Sequence, residues 1–155
     1  MFVDEVVALP APLAVARDRL SALMRVDADW QDAASGALEE GRQLLLLAGV
    51  VGATKHVIVQ SLPAYLRGAT TVIPFRWVPA GPVGDLYPAV DANLELAPAE
   101  GGSSRLRFIG SYRPLPGHLD LTLDEVVLGG AARATALGLL GRITRVILSP
   151  DGGRR

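Results

Sequence analysis

The side chains best able to move protons gather near the start of the last long apolar segment. His118, Asp120 and Asp124 fall within seven residues of one another, and Tyr112 precedes them by six. Histidine titrates nearest neutrality, so a histidine flanked by carboxylates could exchange protons with a substrate. The plainer reading is a solvated first helical turn whose acids complement the helix dipole. The other histidine, His56, stands 62 positions from His118, there is no HExxH, and the chain has zero cysteines. The nitrogen and sulfur ligand sets that zinc prefers therefore cannot be built, and no metal site is expected. Covalent and nucleotide chemistry are equally poorly provided for. No GxSxG is present, and Ser111 within Gly110-Ser111-Tyr112 reads as strand rather than as a strained elbow. There is no Walker loop and no GxGxxG, and the glycines at 81, 84, 101 and 102 mark turns, so no cofactor is expected.

Stepping along the chain, Phe2 to Leu9 is rich in valine and stops at Pro10 and Pro12, as a strand does. Leu13 to Met24 places Val15, Ala16, Leu20, Leu23 and Met24 at helical spacing behind Pro12. A second short helix is predicted from an Asp27 or Asp29 cap to Gly41, with Trp30, Ala33, Ala34, Ala37 and Leu38 on one face. The continuous apolar run Leu44 to Val50 is read as a strand, on the strength of its flanking glycines and Val50 and Val51. Strands are also predicted at His56 to Leu62 and at Thr70 to Val78, where Ile73, Phe75 and Trp77 share one face, with a loop over Ala64 to Gly68. Gly117 to Leu148 reads as one long helix whose packed face carries Leu123, Val126, Val127, Ala134 and Leu137. Its glycines, at 129, 130, 138 and 141, each cost up to about 1 kcal/mol against alanine, so they imply either close approach to its backbone or a kink in the helix.

Tyr87 to Ala97 and Ser103 to Pro114 form the clearest hairpin. With the turn centred on Glu100, Leu94 faces Leu106 and Ala92 faces Phe108 on the apolar side. On the polar side Glu95 faces Arg105 and Asn93 faces Arg107. A slip of one residue would drive charges into the core, so the faces are strongly specified.

Composition restricts the partners. The chain of 155 residues is 50% hydrophobic and 20% charged with a net charge of −1, which describes one globular domain over residues 1–150 with a frayed tail at 151–155. A domain of this length buries about 68 to 70% of its unfolded surface and needs no disulfide. Lys55 is the single lysine and the arginines are scattered, so no nucleic-acid footprint is expected. The longest apolar run, Leu44 to Ala53, has about half the roughly 20 residues needed to span a bilayer. Asp4 and Glu5 stand where a secretion signal would carry positive charge. A cytoplasmic protein that is not membrane-embedded is the expectation. A homodimer is left open.

The order of strand, two short helices in a V, a run of antiparallel strands and a long C-terminal helix resembles the helix-grip fold of the SRPBCC superfamily. That superfamily holds START-like domains, polyketide cyclases and birch-pollen-allergen-like proteins, and the likeness is to bacterial members. Phe75-Arg76-Trp77, the strand Leu86 to Leu96, and Gly110-Ser111-Tyr112-Arg113-Pro114 carry the resemblance. It implies an α+β fold in which a curved antiparallel sheet of six or seven strands grips the last helix around an apolar cavity. The implied function is binding or carriage of a small hydrophobic, lipid-like or polyketide-like molecule. By alternation the lining holds Phe75, Trp77, Leu94, Phe108 and Tyr112, with Leu123 and Val127 opposite and Trp30 at the opening. Tyr112 is the expected polar anchor, with Gly110 leaving space beside it, and the ligand is expected to be neutral because the lining offers little to a buried charge. A second reading is an enzyme of cyclase, aromatase or dehydratase type, in which Tyr112, His118 and Asp120 or Asp124 act. A third is a protein-interaction module with a vestigial cavity. The lack of a convergent ionisable cluster favours the first.

Overall fold

The computed structural model describes residues 2–47, 56–80, 90–112 and 121–149, with the backbone alone at 42, 44–47, 56–57, 79–80 and 121–128. Strand β1 (Phe2–Leu9) ends where Pro10 supplies no N–H for a further rung. Helix α1 (Leu13–Arg25) follows Pro12, and helix α2 (Asp27–Leu47) opens with Asp27 and Asp29 in its first turn. Strands β2 (His56–Ser61), β3 (Tyr65–Arg67), β4 (Thr70–Ala80), β5 (Val90–Pro98) and β6 (Ser104–Tyr112) precede helix α3 (Leu121–Leu148). The six strands make one antiparallel sheet in the order β1-β6-β5-β4-β2, with β3 paired to β4. Helix α3 lies against α2 and β1, while α1 touches α2, α3 and β5. This is the helix-grip arrangement of an α+β protein.

Four local expectations change. The second helix is not short: it runs through Gly41 to Leu47, so Leu44 to Leu47 is helical rather than strand. Leucine is a strong helix former, and the β-branched pair Val50 and Val51, which lies outside the described residues, comes too late to oppose it. The segment expected as a loop carries the short strand β3. The hairpin is displaced by two residues, so that Leu94 pairs with Phe108, Leu96 with Leu106 and Glu95 with Arg107. Its turn is a single 3₁₀ turn at Glu100–Gly102, where Gly101 and Gly102 take φ of 71° and 74°. Those left-handed values suit glycine and set the loop centre at 101. A two-residue shift keeps every side chain on its predicted face.

The fourth change concerns α3. Its buried side chains are Ala131, Thr135, Ala136, Leu139, Leu140, Ile143 and Ile147, whereas Leu137 is 38% exposed and Ala134 half-buried. Apolar residues run most of the way round this helix, so spacing alone does not select the face that meets α2 and β1. The side chains of Leu123, Val126 and Val127 lie outside the description. Within α3, close approach to a glycine occurs at two places. A Cβ on Gly138 would run into the Glu40 carboxylate, and one on Gly129 would stand 3.4 Å from the Tyr112 Oη. Gly130 and Gly141 have none of the described residues within 4 Å of such a position.

Polar ties fix the layers. Arg142 Nη1 reaches Glu40 Oε1 at 2.6 Å and Arg133 Nε reaches Glu5 Oε1 at 2.7 Å, joining α3 to α2 and β1. The Arg19 guanidinium donates to the Ile147 carbonyl at the end of α3, where a cation is favoured. Gln31 Nε2 donates to the Val59 carbonyl at 3.0 Å and its Oε1 accepts from the Val59 N–H at 3.3 Å. The amide thus stands in for a neighbouring strand at the edge of β2.

The outer face of the sheet carries an ion-pair network. Arg107 donates to both oxygens of Asp4, at 2.7 and 2.6 Å, and Arg67 Nη2 lies 2.7 Å from Glu95 Oε1. The hydrogen bonds from Arg107 hold the Asp4 carboxyl below its ordinary value and push the arginine up. A depressed carboxylate contributes stability above its unfolded pKa, near 4, and loses it as pH falls through the lower folded value. Asp4→Asn is therefore expected to lower stability at pH 7 by about 1 kcal/mol or less, since the pair is half exposed. Denaturant titrations from pH 7 to pH 2 should show the difference from wild type closing below pH 4.

Candidate functional site

The inner face of the grip is built on β4, whose alternation turns Thr71, Ile73, Phe75 and Trp77 inward, all at 8% exposure or less. Pairing extends each of these across the sheet. Trp77 stands beside Val59 and Val90, and Val90 beside Tyr112. Phe75 leads through Ala92 to Gly110 and Val3, and Ile73 through Leu94 to Phe108 and Glu5.

The middle of this face is an aromatic chain. Trp30 meets Phe75 edge-on with ring centres 5.9 Å apart, and Phe75 meets Phe108 at 5.6 Å and 72°. Both are the geometry that the ring quadrupole favours. Trp30 Nε1 donates to Ser61 Oγ at 3.1 Å, which satisfies the one polar atom of that side chain. Trp77 differs. It is 3% exposed, and its Nε1 has no hydrogen-bond acceptor among the described residues. Tyr112 is buried nearby, with its hydroxyl beside Gly129 of α3.

Of the residues singled out from the sequence, Phe75, Trp77, Leu94, Phe108, Tyr112 and Trp30 are all buried along this face. Gly110 does not leave space beside Tyr112. A Cβ there would stand 2.7 Å from the Ala92 Cβ, so the neighbouring strand already occupies that volume. His118 and Asp120 lie outside the described residues, as do the side chains of Asp124, Leu123 and Val127. Tyr112 is therefore the one proposed proton-handling residue with a described place.

Two features escape the sequence reading. Glu5 faces inward beside Phe108, its side chain 19% exposed and held by Arg133. Alternation with the buried Val3 and Leu9 could have indicated it. The second is a cleft of about 250 Å³ between α1 and the sheet, lined by Arg17, Leu20, Ser21, Met24, Arg25, Leu62, Ala64, Thr71 and Ile73. Arg17 Nε donates to Thr71 Oγ1 there at 3.2 Å. Among the described residues no three His, Asp or Glu side chains are grouped to hold a metal, and no helix is long and apolar enough to cross a membrane.

No family model and no curated protein matches the chain. Among solved structures, the crystal structure of Ara h 8.0201 is similar at 13% identity and a TM-score of 0.42, over 96% of this chain and 97% of that one. The crystal structure of the Zhui aromatase/cyclase from Streptomyces sp. R1128 is similar at 13% identity and a TM-score of 0.36, over 99% of each. The element order and the antiparallel strand order themselves make this a helix-grip protein whose inner sheet face carries a buried indole with no hydrogen-bond partner among the described residues.

Proposed function

We propose that the protein binds a small, largely apolar molecule against the inner face of its sheet, with an acceptor atom of that molecule taking the Trp77 indole N–H. The observation that carries this reading is the buried Nε1, which has no acceptor among the described residues. Leaving such a donor unpaired costs about 1 to 3 kcal/mol, and most buried donors are paired. The neighbours of Trp77 across the sheet, Val59 and Val90, offer apolar side chains only. A ligand carbonyl, ether or hydroxyl oxygen would remove the penalty, while the apolar surroundings favour a neutral molecule over a charged one.

The chain has two tryptophans, Trp30 and Trp77, so its indole ¹⁵N–¹H spectrum has two resonances. Addition of 2-acetonaphthone is expected to move the Trp77 resonance downfield and leave Trp30, already bonded to Ser61, in place. 2-Ethylnaphthalene, which lacks the carbonyl, should bind more weakly. Trp77→Phe is expected to weaken the ketone by about 3- to 10-fold, the worth of one neutral hydrogen bond, without loss of fold. Native mass spectrometry of freshly purified protein should show a co-purified molecule. An indole resonance indifferent to the ketone, with affinity unchanged in Trp77→Phe, overturns the reading.

A further inference from the structure

We infer that the cleft between α1 and the sheet is a second binding site, for an amphipathic anion whose short aliphatic tail fills the cleft and whose carboxylate meets Arg17 and Arg25. The floor is apolar: Leu20 and Ile73 are buried, Met24 is half-buried, and Leu62 stands at the edge 63% exposed. The polar side chains of the lining are two arginines, one serine and one threonine, with no carboxylate.

Two arginines without an ion pair meet in this cleft. Arg67, Arg76, Arg107, Arg133 and Arg142 each sit within 4 Å of an acid. Arg17 and Arg25, like Arg19, Arg105 and Arg145, form no ion pair among the described residues, and of these five Arg17 and Arg25 are the ones that line the cleft. Arg17 is held in place by its bond to Thr71, which leaves its terminal nitrogens for a ligand. A guanidinium fixed beforehand loses less freedom on binding a carboxylate. Arg25 lies in the last turn of α1, where the helix dipole already favours a cation, so Arg17 is the principal anchor and Arg25 the lesser one.

The volume, about 250 Å³, falls just under the roughly 300 Å³ at which ordinary ligand pockets begin, so the tail is short. The site is distinct from the one at Trp77. Ile73 and Trp77 are four residues apart on β4, about 13 Å along a strand. Phe75, edge-on to both Trp30 and Phe108, fills the interval.

The chain has two methionines, Met1 and Met24, so a ¹³C-methyl methionine label places one reporter in the cleft. Titration with octanoate is expected to move the Met24 methyl resonance to saturation and to leave the Trp77 indole unmoved. Octanoate should bind about tenfold more tightly than 1-octanol, the mark of a charge-assisted contact. Arg17→Gln should abolish that preference without changing octanol binding, Arg25→Gln should reduce it less, and Arg17→Lys should restore part of it. Equal affinity for octanoate and octanol, a Met24 resonance that does not move, or a preference that survives Arg17→Gln overturns the inference. If octanoate moves the Trp77 indole but not Met24, the cleft site fails and the reading of the inner face stands.

Discussion

Phe108→Ala is expected to cost about 3 to 5 kcal/mol of unfolding free energy, the range for deleting a buried aromatic ring. Phe108 is 2% exposed and lies at the centre of the inner face, edge-on to Phe75 and paired across the sheet with Leu94, which is fully buried. The hydrophobic transfer of the ring is lost first. The edge-on contact adds about 0.5 to 1.5 kcal/mol beyond area. Collapse into the hole is opposed by the hydrogen-bonded backbones of β1 and β5 on either side, so much of the cavity persists. Denaturant unfolding should show a lowered midpoint at an unchanged m-value. Benzene, which enters dry engineered cavities, should recover part of the loss. A cost below about 1.5 kcal/mol would mean that the ring faces space already open beside it, a result bearing directly on the room available for a ligand.

Gly110→Ala should be nearly as damaging, at about 1 to 3 kcal/mol, although it adds a single methyl group. Directly opposed residues of an antiparallel pair normally hold their Cβ atoms about 4.5 to 5.5 Å apart. At Gly110 an added Cβ would stand 2.7 Å from the Ala92 Cβ, 2.8 Å from the Asp91 carbonyl oxygen and 3.0 Å from the Ala92 Cα. Two of those three atoms belong to the backbone, so no rotamer change relieves the contact and β5 must part from β6. Removing the Ala92 methyl in the same chain should therefore recover only part of the loss. Gly138→Ala is the contrasting case. Its added methyl meets the end of the Glu40 side chain, which is half exposed and free to swing aside. Losing that surface ion pair costs about 1 kcal/mol at most, and alanine returns a similar amount in helix propensity. The two variants should differ by more than about 1 kcal/mol in the same denaturant assay, and equal stabilities would defeat the argument from backbone contact.

Reading alternation along β4, β5 and β6 sufficed to turn Phe75, Trp77, Leu94, Phe108 and Tyr112 to one side. Side-chain direction has a period of two in a strand without a bulge, and the ladders of β4, β5 and β6 run without one. Most of the helices and strands likewise followed from prolines, glycines and apolar spacing, with Leu44 to Leu47 and β3 as the exceptions, and the one antiparallel sheet is what the resemblance to the helix-grip fold implied. The hairpin's faces were set by its pattern, but its pairing was not, because a shift of two residues satisfies the same pattern. The left-handed Gly101 and Gly102 chose between the two. The buried face of α3 was decided by packing: the helix is apolar well beyond one stripe, so the side that is covered depends on where α2 and β1 lie. Trp77 was identifiable as buried from its place in the strand. That its N–H would find no acceptor, while Trp30 found Ser61, required knowing which atoms come within 3.5 Å. The α1 cleft lay furthest from anything legible in order of residues. Its walls come from α1, the β2–β3 connection and β4, and neither its volume nor the lack of an acid beside Arg17 and Arg25 exists until those segments pack together. The one-dimensional pattern determined which residues face inward, and only the distances between elements decided which polar groups were left without partners.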